Sequence, residues 1–126
     1  MKLPVEERKQ WKALNYTTYE DAVKNFKWSD RWAVFDGTKD DFNIAHECVD
    51  RHPEDEYALR IKFDTGKSES YTFGELSKLT SKFANMLERI GVKKDDRVAV
   101  MLFPSLAFYV TLYGTYKRGA VLIPCF

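Results

Sequence analysis

Residues 71–126 constrain the fold more than any other part of this chain, because they carry helix, strand, helix and strand signals in that order. Thr72 to Glu75 forms a capping-box pattern, a hydroxyl at the N-cap with a carboxylate three residues on. Leu76, Leu79, Phe83, Met86, Leu87 and Ile90 then recur at helical spacing, and Gly91 supplies the residue type that commonly ends a helix. Lys93 to Asp96 is a charged turn, and the apolar run from Val98 to Leu102 is short enough to read as a buried strand. Pro104 and Ser105 break that strand and cap a second helix reaching about Lys117. Gly119 ends this helix, and Ala120 to Ile123 reads as another buried strand. Strand, crossover helix and strand within about thirty residues make one βαβ unit of a parallel sheet.

The fold class is therefore α/β. A lone parallel pair cannot hide both of its faces, since such sheets are covered by helices on each side and extended by further strands. The pattern predicts that these residues form part of a larger fold. The competing reading is a complete small α/β domain whose last strand sits at an edge, which the length allows, because single domains commonly hold about 100 to 200 residues.

Composition narrows the partners. Twenty basic and nineteen acidic residues give a formal net charge of +1, so no global field favours nucleic acid or an anionic membrane. The stretch from Val98 to Ile123 is the most apolar, but Pro104, Lys117, Arg118 and two glycines interrupt it, so it is not a membrane span of ~20 apolar residues. Cys48 and Cys125 lie far apart and form no disulfide framework, and Met1 to Lys9 lacks the apolar core of a signal peptide. These features point to the cytoplasm.

Upstream, residues 1–56 read as a helical and aromatic arm, and residues 57–126 as a hairpin followed by the start of an incomplete α/β domain. Thr17 to Glu20 offers a second capping box ahead of Ala22, Val23 and Phe26, which predicts an amphipathic helix over about 18–26. Lys27 to Phe35 is loaded with aromatics but fits neither period, as an irregular packing arm would. The interleaved acids Asp21, Asp30, Asp36, Asp40 and Asp41 cancel the basic groove that a base-stacking surface requires. Asp41 to Arg51 is expected to be helical, with Phe42, Ala45 and Val49 on one side and Pro53 forcing its end. Tyr57 to Phe63 and Ser68 to Thr72 flank the turn Asp64 to Lys67 as a hairpin.

Several residue groups imitate functional sites. Gly66, Lys67 and Ser68 match the tail of a phosphate-binding P-loop, but the pattern's leading glycine falls at Ile61, and a strand follows where a helix is needed. His46, Cys48 and His52 form the one cluster of metal-capable side chains. On a helix, positions two apart point to nearly opposite sides, so Cys48 is expected in the core and the histidines at a partly exposed surface. Glu54, Asp55 and Glu56 read as a solvated turn. The loop from Leu102 to Ser105 lies where an α/β sheet receives nucleotides, yet it carries Phe103 and Pro104 in place of glycines. No nucleophile turn or Ser-His-Asp arrangement is present.

Taken together, particular blocks resemble a family. Tyr71 to Leu76, Ala84, Asn85 and Leu87, Gly91 to Val100, Lys117 to Val121, and Ile123 with Pro124 are similar to the opening region of the AMP-forming acyl-CoA synthetases, within the adenylate-forming superfamily. Phe42 to His52 resembles a block of its acetate and medium-chain acyl branch, and the resemblance covers about residues 16–126. It implies an enzyme that activates a carboxylic acid with ATP and Mg2+ to an acyl-adenylate, releasing pyrophosphate, and then transfers the acyl group to CoA. It also implies that Phe126 lies near the CoA nucleotide and that Trp28 to Phe35 crosses the large domain.

The family's phosphate loop ending in lysine, its aromatic-x-Thr-Glu block, its ribose-binding aspartate and its C-terminal-domain lysine are all missing here. The expectation is therefore an N-terminal portion of an acyl-CoA synthetase, inactive by itself, with no catalytic or metal-binding residue of its own. The alternative is a non-catalytic module that pairs with itself, or with a second chain carrying the catalytic motifs, through its open sheet edge.

Overall fold

The computed structural model describes residues 16–125, which fall into two compact units divided between Phe42 and Asn43. The position singled out near CoA, Phe126, lies outside the described residues.

In the first unit, α1 (Tyr19–Asn25) is followed by a 3-10 helix (Trp28–Val34). Thr18, one residue later than the capping pattern suggested, is the N-cap, its hydroxyl accepting from the Asp21 amide at 3.1 Å. Asp21 Oδ2 in turn accepts from the Thr17 amide, one residue before the cap, at 3.3 Å. α1 buries no residue, and Val23, expected on an apolar face, is exposed. Aromatic contacts hold the unit together. Trp32, Phe35 and Phe42 make mutual edge contacts at centroid distances of 5.0–6.1 Å, and the Arg31 guanidinium sits 4.9 Å from the Trp32 ring and 5.8 Å from that of Trp28.

The second unit opens with Asn43, whose side chain accepts from the Ala45 amide at 2.9 Å and donates to the Tyr116 carbonyl at 3.1 Å. The expected helix is realised as a π-turn, His46–Asp50. Ala45 and Val49 are buried as predicted, but the wider turn shifts the phase, so that Glu47 is buried and Cys48 is exposed. The core placement expected for Cys48 is thus corrected. Glu47 tolerates burial because the Arg51 guanidinium, one turn on, pairs with its carboxylate.

The hairpin forms as expected. β1 (Tyr57–Lys62) pairs antiparallel with β2 (Ser68–Thr72), with an irregularity between Tyr57 and Leu59. Thr72 then caps α2 (Phe73–Arg89): its hydroxyl accepts from the Glu75 amide at 3.2 Å, and the Glu75 carboxylate accepts from the Thr72 amide at 2.9 Å. Gly91 and Gly119, at φ +91° and +74°, end α2 and the next helix, α3 (Leu106–Lys117), in the left-handed region that disfavours a side chain. At the first end the Val92 amide returns to the Leu87 carbonyl at 2.9 Å, and at the second the Ala120 amide returns to that of Thr115 at 3.1 Å.

β3 (Arg97–Val100) and β4 (Val121–Pro124) form a separate parallel pair joined through α3 (Leu106–Lys117). Arg97 faces Val121 in the register, and Val100 faces Pro124. This is the βαβ unit that the sequence pattern predicts. Leu76, Thr80, Leu87, Gly114, Thr115, Val100 and Ala120 form most of the buried centre, and α2 packing on α3 is its largest contact. Met86 and Ile90, assigned to the apolar face of α2, are exposed, as are Val121 and Ile123 on β4.

Candidate functional site

In an open parallel sheet, ligands bind beyond the carboxyl ends of the strands. Here that position is the loop joining β3 to α3, and its side chains are apolar and exposed: Met101 at 76%, Leu102 at 42% and Phe103 at 91%. The Ser105 hydroxyl accepts from the Phe108 amide at 3.3 Å and donates to the Phe103 carbonyl at 3.0 Å, so it serves the helix start. The loop has neither glycines to bring backbone amides onto a pyrophosphate nor a lysine. These residues do not fit the triphosphate of a nucleotide. At the same end of the sheet the Cys125 amide donates to the Val100 carbonyl at 2.7 Å, extending the parallel ladder to the residue before Phe126.

The remaining sequence candidates are dispersed by the fold. Among the described residues no group of three or more His, Cys, Asp or Glu side chains is arranged to hold a metal ion. His52 stacks on Phe73 at a centroid distance of 4.4 Å and an interplanar angle of 17°, and its Nε2 lies 3.1 Å from the Glu47 carbonyl oxygen. Cys48 instead neighbours Tyr113, whose phenol is raised above its ordinary range by burial, with the Cys48 thiol adding to the shift. Glu54 and Glu56 act through their main chains, accepting from the Gly74 and Phe73 amides at 3.0 and 2.9 Å at the start of α2. Gly66 turns the hairpin, the Phe63 amide reaching the Lys67 carbonyl at 2.8 Å, and Ser68 opens β2. The P-loop likeness is therefore only a turn. On β2, the Glu69 carboxylate is held below its usual range by hydrogen bonds from Lys67 and then from Tyr71, each at 2.8 Å.

One polar cluster escapes the sequence reading. The Lys117 amine, in the last turn of α3, lies 2.6 Å from Asp50 Oδ1, 3.1 Å from the Ser77 carbonyl, 3.3 Å from Ser77 Oγ and 3.0 Å from Ser81 Oγ. Ser77 also donates to Asp50 Oδ1 at 2.6 Å. Asp50 and Lys117 are 67 positions apart, and nothing local connects them. The cluster ties the π-turn to both long helices; an ammonium group enclosed by acceptors in this way is suited to holding elements together.

Residues 45–126 match the family model described as AMP-binding enzyme. The acetyl-coenzyme A synthetase of Bacillus subtilis is 33% identical over 118 residues, covering 89% of this chain and 20% of that protein. Among solved structures, the Brucella canis acyl-CoA synthetase superposes with a TM-score of 0.76 at 31% identity, covering 82% of this chain and 20% of that one. The Klebsiella oxytoca NpsA N-terminal subdomain gives 0.55 at 29% identity, over 65% of this chain and 20% of its own. The chain thus spans about a fifth of the length of the relatives it matches, 20% in each of these cases. Among the described residues no helix is long and apolar enough to cross a membrane.

Proposed function

Since this chain belongs to the AMP-binding enzyme family, we propose that it contributes the hairpin and first βαβ unit of an acyl-CoA synthetase. Such an enzyme joins a carboxylate oxygen to the α-phosphorus of ATP, expels pyrophosphate, and passes the acyl group to the thiol of CoA, with Mg2+ and basic groups offsetting phosphate charge. The observation that supports this reading is the family match over residues 45–126, together with the superposition on the acyl-CoA synthetase of Brucella canis over 82% of the chain. The two free thiols, Cys48 and Cys125, support a cytoplasmic setting.

The 126 residues supply scaffold to that reaction and no chemistry of their own. The β3–α3 loop has no phosphate cradle, and the Lys117 amine is engaged by Asp50 and the two serines. ATP–pyrophosphate exchange tests the proposal. The isolated chain gives no signal with acetate or longer acids, whereas a polypeptide that continues through the family's phosphate loop and C-terminal lysine does. Exchange by the isolated chain that survives repurification overturns it.

A second reading follows from the edges of the β3–β4 pair, which carry no further strand among the described residues, and from exposed Val121 and Ile123 on β4. Here the chain is a non-catalytic module that pairs with a copy of itself or with a second chain bearing the catalytic motifs. Sizing chromatography separates the two: a monomer with a cooperative melt and no binding of a hydrophobic dye rules out the module.

A further inference from the structure

We draw no further inference here: the strongest candidate, the exposed apolar side chains Met101 and Phe103 in the β3–α3 loop with Val121 and Ile123 on β4, carries none, because nothing in the structure shows what covers them.

Discussion

At the scale of single residues, the Glu47–Arg51 pair is the most sensitive point of the second unit. Their side chains are 4% and 10% exposed, so the carboxylate has lost nearly all of its water and is paired with the guanidinium. Removing one partner of a buried pair costs about 3–5 kcal/mol, whereas replacing both by apolar groups of similar size is often neutral. Arg51→Met is expected to lower the stability of the chain by about 3 kcal/mol in urea unfolding, and Glu47→Leu with Arg51→Met to restore most of it. Equal losses in the single and double variants would show that the pair is not what holds the turn. Tyr113 gives a test with pH. Its phenol is raised above 10.0 by burial and Cys48, so the folded chain holds the proton more tightly than the unfolded chain. That contribution is complete below the unfolded value and is lost as pH climbs through the folded one. The urea midpoint should therefore fall as pH climbs past 10.0, and Tyr113→Phe should make that limb shallower. An unchanged slope would place the titration elsewhere.

At the scale of elements, what could be read in advance was whatever depends on a few neighbouring residues. The Thr72–Glu75 capping box, the glycine stops at Gly91 and Gly119 and the turn at Gly66 were legible, because each is a local solution to backbone hydrogen bonding. The π-turn was not legible. A wider turn leaves no signature in apolar spacing, and so Cys48 was assigned to the core while the buried side chain is Glu47. The Lys117 cluster was hidden for a different reason, since its partners come from three separate elements. In the candidate site, the apolar make-up of the β3–α3 loop was legible because it depends on residues adjacent in sequence, while the residue implied to lie near CoA, Phe126, lies outside the described residues.

Two substitutions probe how these elements pack. A Cβ at Gly114 would lie 2.8 Å from Phe83 Cδ1 and 2.9 Å from the Thr80 carbonyl oxygen, which is backbone of α2 and cannot rotate away. Alanine in a helix gains about 1 kcal/mol over glycine, but overpacking costs about 1–3 kcal/mol. Gly114→Ala should therefore be destabilising, by up to about 2 kcal/mol, despite its better propensity; a rise in melting temperature would mean that α2 and α3 separate easily. Lys117→Met removes the charge that joins the π-turn to both helices. With charged hydrogen bonds contributing about 1.5–3 kcal/mol, amide exchange across 46–50 should speed up at least about tenfold while the amides of β1 and β2 stay unchanged. Uniform acceleration would instead indicate global destabilisation.

At the scale of the whole molecule, the second unit combines a buried centre with a parallel sheet that has two strands among the described residues. Leu76 and Leu87 of α2 and Ala120 just before β4 are buried, yet Met101 and Phe103 in the β3–α3 loop and Val121 and Ile123 on β4 are exposed. Parallel strands are ordinarily covered on both faces, and exposed apolar side chains beside them mark a surface that another part of a fold occupies. The consequence is an asymmetry between contexts. Phe103 is 91% exposed, so Phe103→Asp in the 126-residue chain removes no packing and should change stability by less than about 0.5 kcal/mol while reducing hydrophobic-dye binding. In a longer polypeptide that continues through the rest of an acyl-CoA synthetase, the same aspartate would be placed in a covered interface and should cost about 2–4 kcal/mol or prevent soluble expression. Equal tolerance in both contexts would mean that the loop faces solvent in the finished enzyme and that the sheet is completed without it.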